Sequence, residues 1–514
     1  MLPLFKVFMN RDVDESLGNV LHSGSITQGK KVEEFEQALS SWFGYPYILT
    51  LNSATSGLTL ALRLLNLEKD DEVLSTPLTC TATNFPILAN GLCIKWLDVD
   101  PETCNIDLDR LSEKITEKTK ALMLVHWAGT PVDLNRLETI LDEAEEKYGH
   151  RIRVIEDCAH AFGASYGDKK IGTTHEHICV FSLQAIKHLT TGDGGLIFLP
   201  NKEIYERAKK LRWFGIDREK RSRPGKDFRL ESDISEWGYK YHMNDINATI
   251  GLANLPYIAD LLKIARDNAK FYRENLENVP GITLLKSVPN TESSFWIFTL
   301  KVANKKTFTE FMTTKEIMVS QVHNRNDIYS CLDKFKCDLP QLDSLEKHII
   351  SIPVGWWVTE KDRLYVVNSI REWSEKYYKI RNLQITDKDI LQNLISQLAG
   401  YRRPMGDEEW EKVFERLDHT GLNILIESDG VAVAYGRLLV EPKLYDPLGH
   451  IEDVVVNSEY RGKWYGKIVI ETLVRLSKEK GCYKTVLDCL PKNIAFYKVC
   501  GFSKEGSEMV LRNN

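Results

Sequence analysis

The chain has 514 residues, 43% hydrophobic and 27% charged, with a net charge of −6, which is ordinary globular chemistry spread over more than one domain of about 100–150 residues. That balance excludes disorder, collagen or coiled coil as the main state, and gives no electrostatic reason to bind nucleic acid or an anionic membrane. No apolar run reaches the roughly 18 residues of a spanning helix, the N-terminal MLPLFKVFMNRDVDES turns charged too soon for a secretory leader, and ten scattered cysteines without a C-x-x-C pair predict a reduced, cytoplasmic protein with neither zinc nor dithiol chemistry.

In chain order, VEEFEQALSSWF (32–43) has helical spacing, and residues 53–65 open on an N-cap cluster and continue as a helix. Residues 121–125 (ALMLV) and 153–156 are short buried-strand runs. Strand and helix in alternation from about 30 to 200 predict an α/β domain with a largely parallel sheet. Residues 202–280 are longer, helical and more charged. At RNLQITDKDI (381–390) the sequence restarts with a Thr-Asp cap, so we place one domain at 1–375 and a second at 380–514. The second reads as helix, a hairpin turned at Asp429-Gly430, a strand (HIEDVVV), a Gly-bearing loop, helix, strand (KTVLDC), helix and a final strand, a mixed α/β domain.

Three segments of the first domain are weak signals alone. LNSATSGLTLAL (51–62) sets small hydroxyl and Gly residues at a helix start, which is a plain N-cap or an anion cradle. VIEDCAHAFGA (154–164) ends a buried run on Glu156-Asp157, either a turn or a functional acid at a strand's carboxyl end. VFSLQAIKHLTTGDGGLIF (180–198) carries Lys187 before a Gly-rich turn, snorkelling to solvent or desolvated for chemistry. Their order, anion cradle then acid then lysine, suits pyridoxal phosphate: the lysine condenses with the aldehyde and the acid keeps the pyridine nitrogen protonated.

With SGSITQGKKVEEFE (23–36) and DVDPETCNID (98–107) in the same order, residues 1 to about 373 resemble the nucleotide-sugar aminotransferases, fold-type-I pyridoxal-phosphate enzymes. The resemblance implies an α/β/α sandwich with a smaller C-terminal subdomain. It implies Lys187 as the covalent lysine and proton shuttle, Asp157 on the pyridine nitrogen, His160 near the phenolic oxygen, and Ala54, Thr55 and Ser182 at the cofactor phosphate. Cys80, in PLTCTATNF (77–85), stands where the family usually has an aromatic over the ring. In GYKYHMNDINA (238–248), Lys240 and His242 replace an Asn and an Arg, and Lys240 can still reach the phosphate as a point charge. L-glutamate is the implied amino donor, and a nucleotide-linked 4-keto-6-deoxyhexose the implied acceptor.

HIEDVVVNSEYRGKWYGKIVIETLVRLSKEKG (450–481) delivers a basic, Gly-bearing loop from a strand to a helix N-terminus, an ordinary turn or a pyrophosphate site. Together with LDCLPKNIAFYKVCGF (487–502) it resembles the GNAT acetyltransferases, most of all glucosamine-6-phosphate N-acetyltransferase. The resemblance implies that Arg461, Gly462, Lys463 and Gly466 hold the acetyl-CoA pyrophosphate, that Asn493 lines the CoA arm, and that Tyr497 stabilises the leaving thiolate. Glu452, Asp453, Asp488 and Arg512 fall near the amino-sugar acceptor. Trp464 replaces the loop's usual Gly, and Trp does not take positive φ cheaply. Ala399 replaces a phosphate-contacting Thr, and VEPKLYDPLGHIED (440–453) replaces a Lys- and His-bearing segment. These losses fall on the acceptor's phosphate side, so the expected acceptor is no longer glucosamine 6-phosphate.

Smaller features read as structure. The Trp pair at 356–357 is core or interface packing, the basic run REKRSRPGK (218–226) is a solvated loop or a diphosphate contact, and His126 with Trp127 is expected on the active-site wall. Two function classes follow: a bifunctional aminotransferase–N-acetyltransferase, or an aminotransferase carrying a non-catalytic GNAT-like module. Both halves resemble dimerising families, so a homodimer or higher homo-oligomer is expected.

Overall fold

Short, wholly apolar runs become the buried strands of a seven-stranded sheet, because parallel strands covered by helices on both faces have no solvent side to leave polar. The computed structural model describes residues 1–218, 233–400, 404–428, 430–462 and 464–505. It forms two compact units, the first of residues 1–275, 284–301 and 309–366 and the second of 276–283, 302–308 and 367–514.

The first unit's main sheet holds β1 (Ile48–Leu51), β2 (Glu72–Ser75), β3 (Cys93–Trp96), β4 (Thr119–Val125), β5 (Arg153–Asp157), β6 (Ile178–Ser182) and β7 (Gly195–Phe198). Their spatial order is β1-β7-β6-β5-β4-β2-β3. The five strands from β6 to β3 run parallel, and β7 and β1 close that edge antiparallel. Helices α1 (Lys30–Phe43), α2 (Ala54–Leu64), α3 (Thr81–Ala89), α4 (Leu134–Tyr148) and α5 (Asp245–Asn254) belong to this unit. The helical spacing of α1 buries Val32, Phe35, Leu39 and Phe43 on one stripe. α2 begins where Ser53, extended at φ −165°, accepts the Ser56 N–H at 3.1 Å. A Cβ at Gly57 of α2 would come within 2.7 Å of Val180 Cγ1, so the missing side chain lets α2 lie close on β6. The Trp356 and Trp357 indoles donate to the Lys6 and Pro3 carbonyls at 3.2 and 2.9 Å, so this pair pins the N-terminal segment, the packing role expected of it.

The second unit's sheet runs β8 (Lys379–Asn382), β9 (Leu422–Ser428), β10 (Val431–Glu441), β11 (Leu448–Val456), β12 (Lys484–Leu487) in that spatial order. The first four strands are antiparallel, and β11 with β12 is parallel. Helices α6 (Lys388–Ala399), α7 (Asp407–Thr420), α8 (Tyr465–Glu479) and α9 (Ile494–Val499) complete it. Gly430 takes φ 78° at the predicted hairpin, while Asp429 and the segment from 506 onward, where the final strand is expected, lie outside the described residues. The core is built on Leu391, Leu394, Trp410, Leu425, Tyr435 and Val455. Among the described residues no helix is long and apolar enough to cross a membrane.

Candidate active sites

Successive residues of a strand point to opposite faces, and at the end of β5 this separates two acids. Asp157 turns towards α3, accepting the Thr83 hydroxyl at 2.7 Å and the Ala159 N–H at 3.0 Å. Burial raises its carboxyl, against the pull of these hydrogen bonds and of Lys187. Glu156 turns to the other face, where it meets His126 Nε2 at 2.8 Å and His177 Nδ1 at 2.6 Å. The Val132 N–H points at His126 Nδ1 at 3.0 Å, which makes Nε2 the donor to Glu156. His126 is fully buried with both ring nitrogens engaged, so it supports the strand ends from behind instead of forming the expected wall.

Lys187, half-buried, lies in the turn after β6. Its Nζ sits 3.6 Å from the centre of the Trp296 ring. Burial lowers the amine to about 7, against the attraction of Asp157 and Cys80. His160 stacks on the same indole at 3.9 Å and 14°, with His323 at 5.5 Å and 6° from His160, and Trp127 stands edge-on to both imidazoles. Burial, and after it the Lys187 charge, holds His160 well below the usual histidine range and His323 at about 4. His160 Nδ1 and His323 Nε2 are buried without hydrogen-bond partners among the described residues. A cavity of about 260 Å³ opens here, lined by Cys80, His323, Asn324, Asn326 and Tyr329 among others.

The N-terminus of α2 lies at the other end of this site. Ala54 and Thr55 are its first helical residues. β7 passes so close that a Cβ on Gly195 would fall 2.6 Å from Ala54 N and 2.5 Å from Ser53 C. Ser182 pairs with Gly195 across the sheet. The Tyr241 carbonyl accepts the Asn52 N–H at 2.7 Å, which brings Lys240 and His242 alongside. Burial, then the charges of Arg218, Arg212 and Lys240, lowers His242 to about 4, and its Nδ1 has no partner among the described residues. Small side chains, exposed helix N–H groups and local positive charge make a cradle for an anion. The remainder of the basic run, 219–226, lies outside the described residues, while Arg218 donates to the Gln28 carbonyl at 2.9 Å.

In the second unit β11 and β12 pair only from Leu448 to Ile451 with Lys484 to Leu487, and β11 then continues past β12 to Val456, paired with β10 alone. At that parting the register with β10 shifts between Tyr435 and Arg437, and Asp453 takes φ 53°. Asp453 is exposed and lines a cavity of about 580 Å³. Glu452 pairs across the ladder with Arg437, and Asp488 lies 3.4 Å from His450 Nε2. Arg461 donates from Nε to the Val456 carbonyl at 3.1 Å, and Gly462 follows at φ 77°. Trp464 caps α8 at φ 66°, so the residue expected to resist positive φ adopts it, with Lys467 Nζ 4.7 Å over its ring. A Cβ on Gly466 would meet the Phe496 ring at 3.2 Å. Asn493 precedes α9, which carries Tyr497, its hydroxyl raised above the usual range by burial. Lys463, Arg512 and the Ala399 side chain lie outside the described residues.

Residues 9–371 match the DegT/DnrJ/EryC1/StrS aminotransferase family. The chain belongs to that family. Residues 377–502 match the acetyltransferase (GNAT) family, so a GNAT domain follows the aminotransferase. Crystal structures of AtS13 from Actinomadura melliaura and of the sugar aminotransferase CalS13 from Micromonospora echinospora are similar to it. They are 49% and 43% identical with TM-scores of 0.70 and 0.69, each covering 72% of this chain and 98% and 100% of theirs. A UDP-4-amino-4-deoxy-L-arabinose–oxoglutarate aminotransferase from Shewanella sediminis is 34% identical over 57% of this chain and 73% of its own.

DegT-family aminotransferases use pyridoxal phosphate and GNAT domains use acetyl-CoA. The residues present fit both. The first site offers a desolvated lysine, a buried carboxylate on Thr83 and an anion cradle that a Cβ on Gly195 would fill. The second offers a loop with two positive-φ residues at a helix N-terminus beside parted strands. Sequence reasoning missed Trp296, His323 and Thr83. Thr83 sits within the segment that supplied Cys80, three residues on, and the turn of α3 was the available signal. Trp296 and His323 lie in no motif, and only the tertiary fold brings them to Lys187.

Proposed function

We propose that this chain is a bifunctional enzyme of nucleotide-sugar biosynthesis. Its first domain, 1–375, moves an amino group from L-glutamate to a nucleotide-linked 4-keto-6-deoxyhexose, and its second, 380–514, N-acetylates that amine from acetyl-CoA. The observation that carries the first step is the Lys187 amine at about 7, set between Asp157 and the Trp296 face. The names of the relatives, a sugar aminotransferase and a UDP-4-amino-4-deoxy-L-arabinose aminotransferase, support a nucleotide sugar aminated at C4.

Pyridoxal phosphate, when bound, supplies an electron sink for the pair released from the donor's Cα–H bond. The chain's own residues do the rest. Lys187, neutral for much of the time at pH 7, takes the proton at the substrate carbon and returns it from the same amine. Asp157, held by Thr83 and Ala159, keeps a proton on the ring nitrogen. Burial and the nearby Lys187 hold His160 well below the usual histidine range, which favours the neutral imidazole with one N–H to donate and one nitrogen to accept. Ala54, Thr55, Ser182 and Lys240 hold the phosphate, and Cys80 packs near the ring.

In the second site the acceptor's neutral amine attacks the thioester carbonyl. A C–N bond forms, the C–S bond breaks, the amine loses one proton and the CoA sulfur gains one. Tyr497 donates its hydroxyl proton to that leaving sulfur, and the proton released by the amine restores the hydroxyl. Arg461, Gly462 and Gly466 hold the pyrophosphate, with Asn493 along the CoA arm and Glu452, Asp453 and Asp488 on the acceptor side. We place the protein in the cytoplasm as a homodimer or higher homo-oligomer.

The test mixes wild type and Lys187→Ala with pyridoxal phosphate, glutamate, acetyl-CoA and a panel of nucleotide 4-keto-6-deoxysugars, and reads products by mass. An N-acetylated aminosugar from wild type alone supports both activities in sequence. A free aminosugar with acetyl-CoA untouched overturns the second activity on this acceptor.

A further inference from the structure

The cavity beside Asp453 does not end there. A second, of about 550 Å³, shares Arg416, Leu417 and Asp453 with the first, so the two form one groove along α7 and the C-terminal half of β10. At one end the groove is walled by Trp410, Val413 and Tyr435, with the Gln392 amide. Gln392 is only 8% exposed, and its Nε2 has no hydrogen-bond partner among the described residues. A buried amide without a partner beside an aromatic wall is an unmet donor within the groove's lining. At the other end lie Thr420, Arg437 and Glu441. The Arg437 guanidinium donates to the Thr420 hydroxyl, while its Nε is buried and has no partner among the described residues. Glu441 is itself engaged with Lys443 at 2.8 Å.

We propose that this groove reads a nucleoside-diphosphate-linked aminosugar, with Arg416 and Arg437 on the diphosphate, Gln392 on the sugar hydroxyls and Asp453 on the amine. The inference rests on the acetyl-transfer reading above and assigns the groove and the side chains that hold that acceptor's diphosphate, sugar and amine. Two cavities in series are larger than one hexose ring fills, since about 300–1,000 Å³ suits a whole drug-sized ligand. Guanidinium groups on two different elements suit the spread charge of a diphosphate, and Arg437 has donors left over for it. Asp453 sits between the two arginines at the parting of β11 and β12, where an amine it holds faces the strand edge left open for the cosubstrate.

The experiment supplies finished acceptors to the full-length protein, which bypasses transamination. Acetyl transfer is measured to a dTDP-, UDP- or GDP-linked 4-amino-4,6-dideoxyhexose and to the methyl glycoside of the same aminosugar. Wild type is expected to prefer one of the nucleotide-linked acceptors in kcat/KM by at least about a hundredfold. Arg416→Gln and Arg437→Gln are each expected to cut that preference about tenfold or more, through KM, as the loss of a charge-assisted contact does. Arg437→Lys is expected to keep part of the preference. Acetyl-CoA-dependent heat stabilisation reports that each variant's second unit is folded, and Arg416, exposed on α7, carries the test if Arg437→Gln does not fold. Equal use of both acceptor types by wild type, or a preference that survives in both variants, overturns the inference and leaves the acetyl-transfer reading standing. Transfer to none of the acceptors overturns both.

Discussion

The Lys187 ammonium and the Trp296 indole are in face contact, Nζ to ring centre 3.6 Å, and this contact carries two opposed effects. The ring face attracts a cation, worth about 0.5–2 kcal/mol, while the ring's bulk excludes water and favours the neutral amine. The amine lies at about 7, with burial the largest cause, so exclusion of water wins. Trp296→Leu is therefore expected to raise the pH midpoint at which cofactor-free protein reacts with an aldehyde. A downward shift would show instead that the ring's attraction for the cation dominates.

Lys187→Ala separates the two activities. Transamination is expected to vanish, since no other amine stands beside Asp157 among the described residues. Acetylation of a supplied aminosugar is expected to stay within about twofold of wild type. The check is a pair of assays on one preparation. A parallel loss of both would mean that the substitution disturbs the whole chain.

Gly195 tests the anion cradle without touching a charged group. A Cβ there would meet Ser53 and Ala54 backbone at 2.5–2.6 Å, and backbone at a helix start does not yield cheaply. Gly195→Ala is expected to cost about 1–3 kcal/mol of stability, the usual range for overpacking. It should also weaken pyridoxal-phosphate binding at least tenfold, followed by the cofactor's absorbance on titration. Tight binding in the variant would move the phosphate away from the start of α2.

Asp157 and Lys187 were legible in the sequence because strand-end acids and Gly-turn lysines are local patterns, and their order along the chain adds information that neither has alone. The same holds for α2, whose N-cap serine and small residues announce an anion-ready helix start. Trp296 and His323 were not legible. They reach Lys187 from two separate loops, Trp296 from the bend just before the strand Phe298–Val302, and nothing in their own neighbourhoods marks them. Glu156 shows the reverse case: adjacent to Asp157 in sequence, it faces the opposite side of β5 into a buried histidine network that no spacing rule reveals. At Trp464 the sequence argument was sound about cost, yet the fold imposes φ 66° on the residue all the same.

The histidine network sets a pH window for stability. Burial opposes a charge on His177, but hydrogen bonds to Glu138 and Glu156 outweigh it and lift the ring to about 9. Its contribution is thus complete below the ordinary histidine value of about 6.5 and fades as pH rises through 9. Burial likewise opposes the Glu156 carboxylate, and its bonds to His126 and His177 outweigh that and hold it far below the usual carboxylate range. Its contribution is complete above about 4.5 and fades in strong acid. Thermal midpoints are expected to be flat between about pH 4.5 and 6.5 and to fall from there towards pH 9. His177→Gln is expected to lose about 3–5 kcal/mol, as breaking a buried ion pair does, and to lose much of the alkaline decline. An unchanged alkaline limb would assign that decline to another group.

Trp464→Gly isolates the cost of the acetyl-CoA loop. A non-glycine residue in the left-handed region costs about 1–2 kcal/mol, and the contact of Lys467 with the indole returns about 0.5–1 kcal/mol of it. The substitution is therefore expected to stabilise the unit by about 0–1.5 kcal/mol. Its larger effect is on binding, because a bare backbone at the start of α8 lets the N–H groups approach a pyrophosphate more closely. Acetyl-CoA affinity is expected to tighten several-fold, read by calorimetric titration of the full-length protein. Weaker binding would mean that the indole itself touches the cosubstrate, and would make Trp464 part of the site.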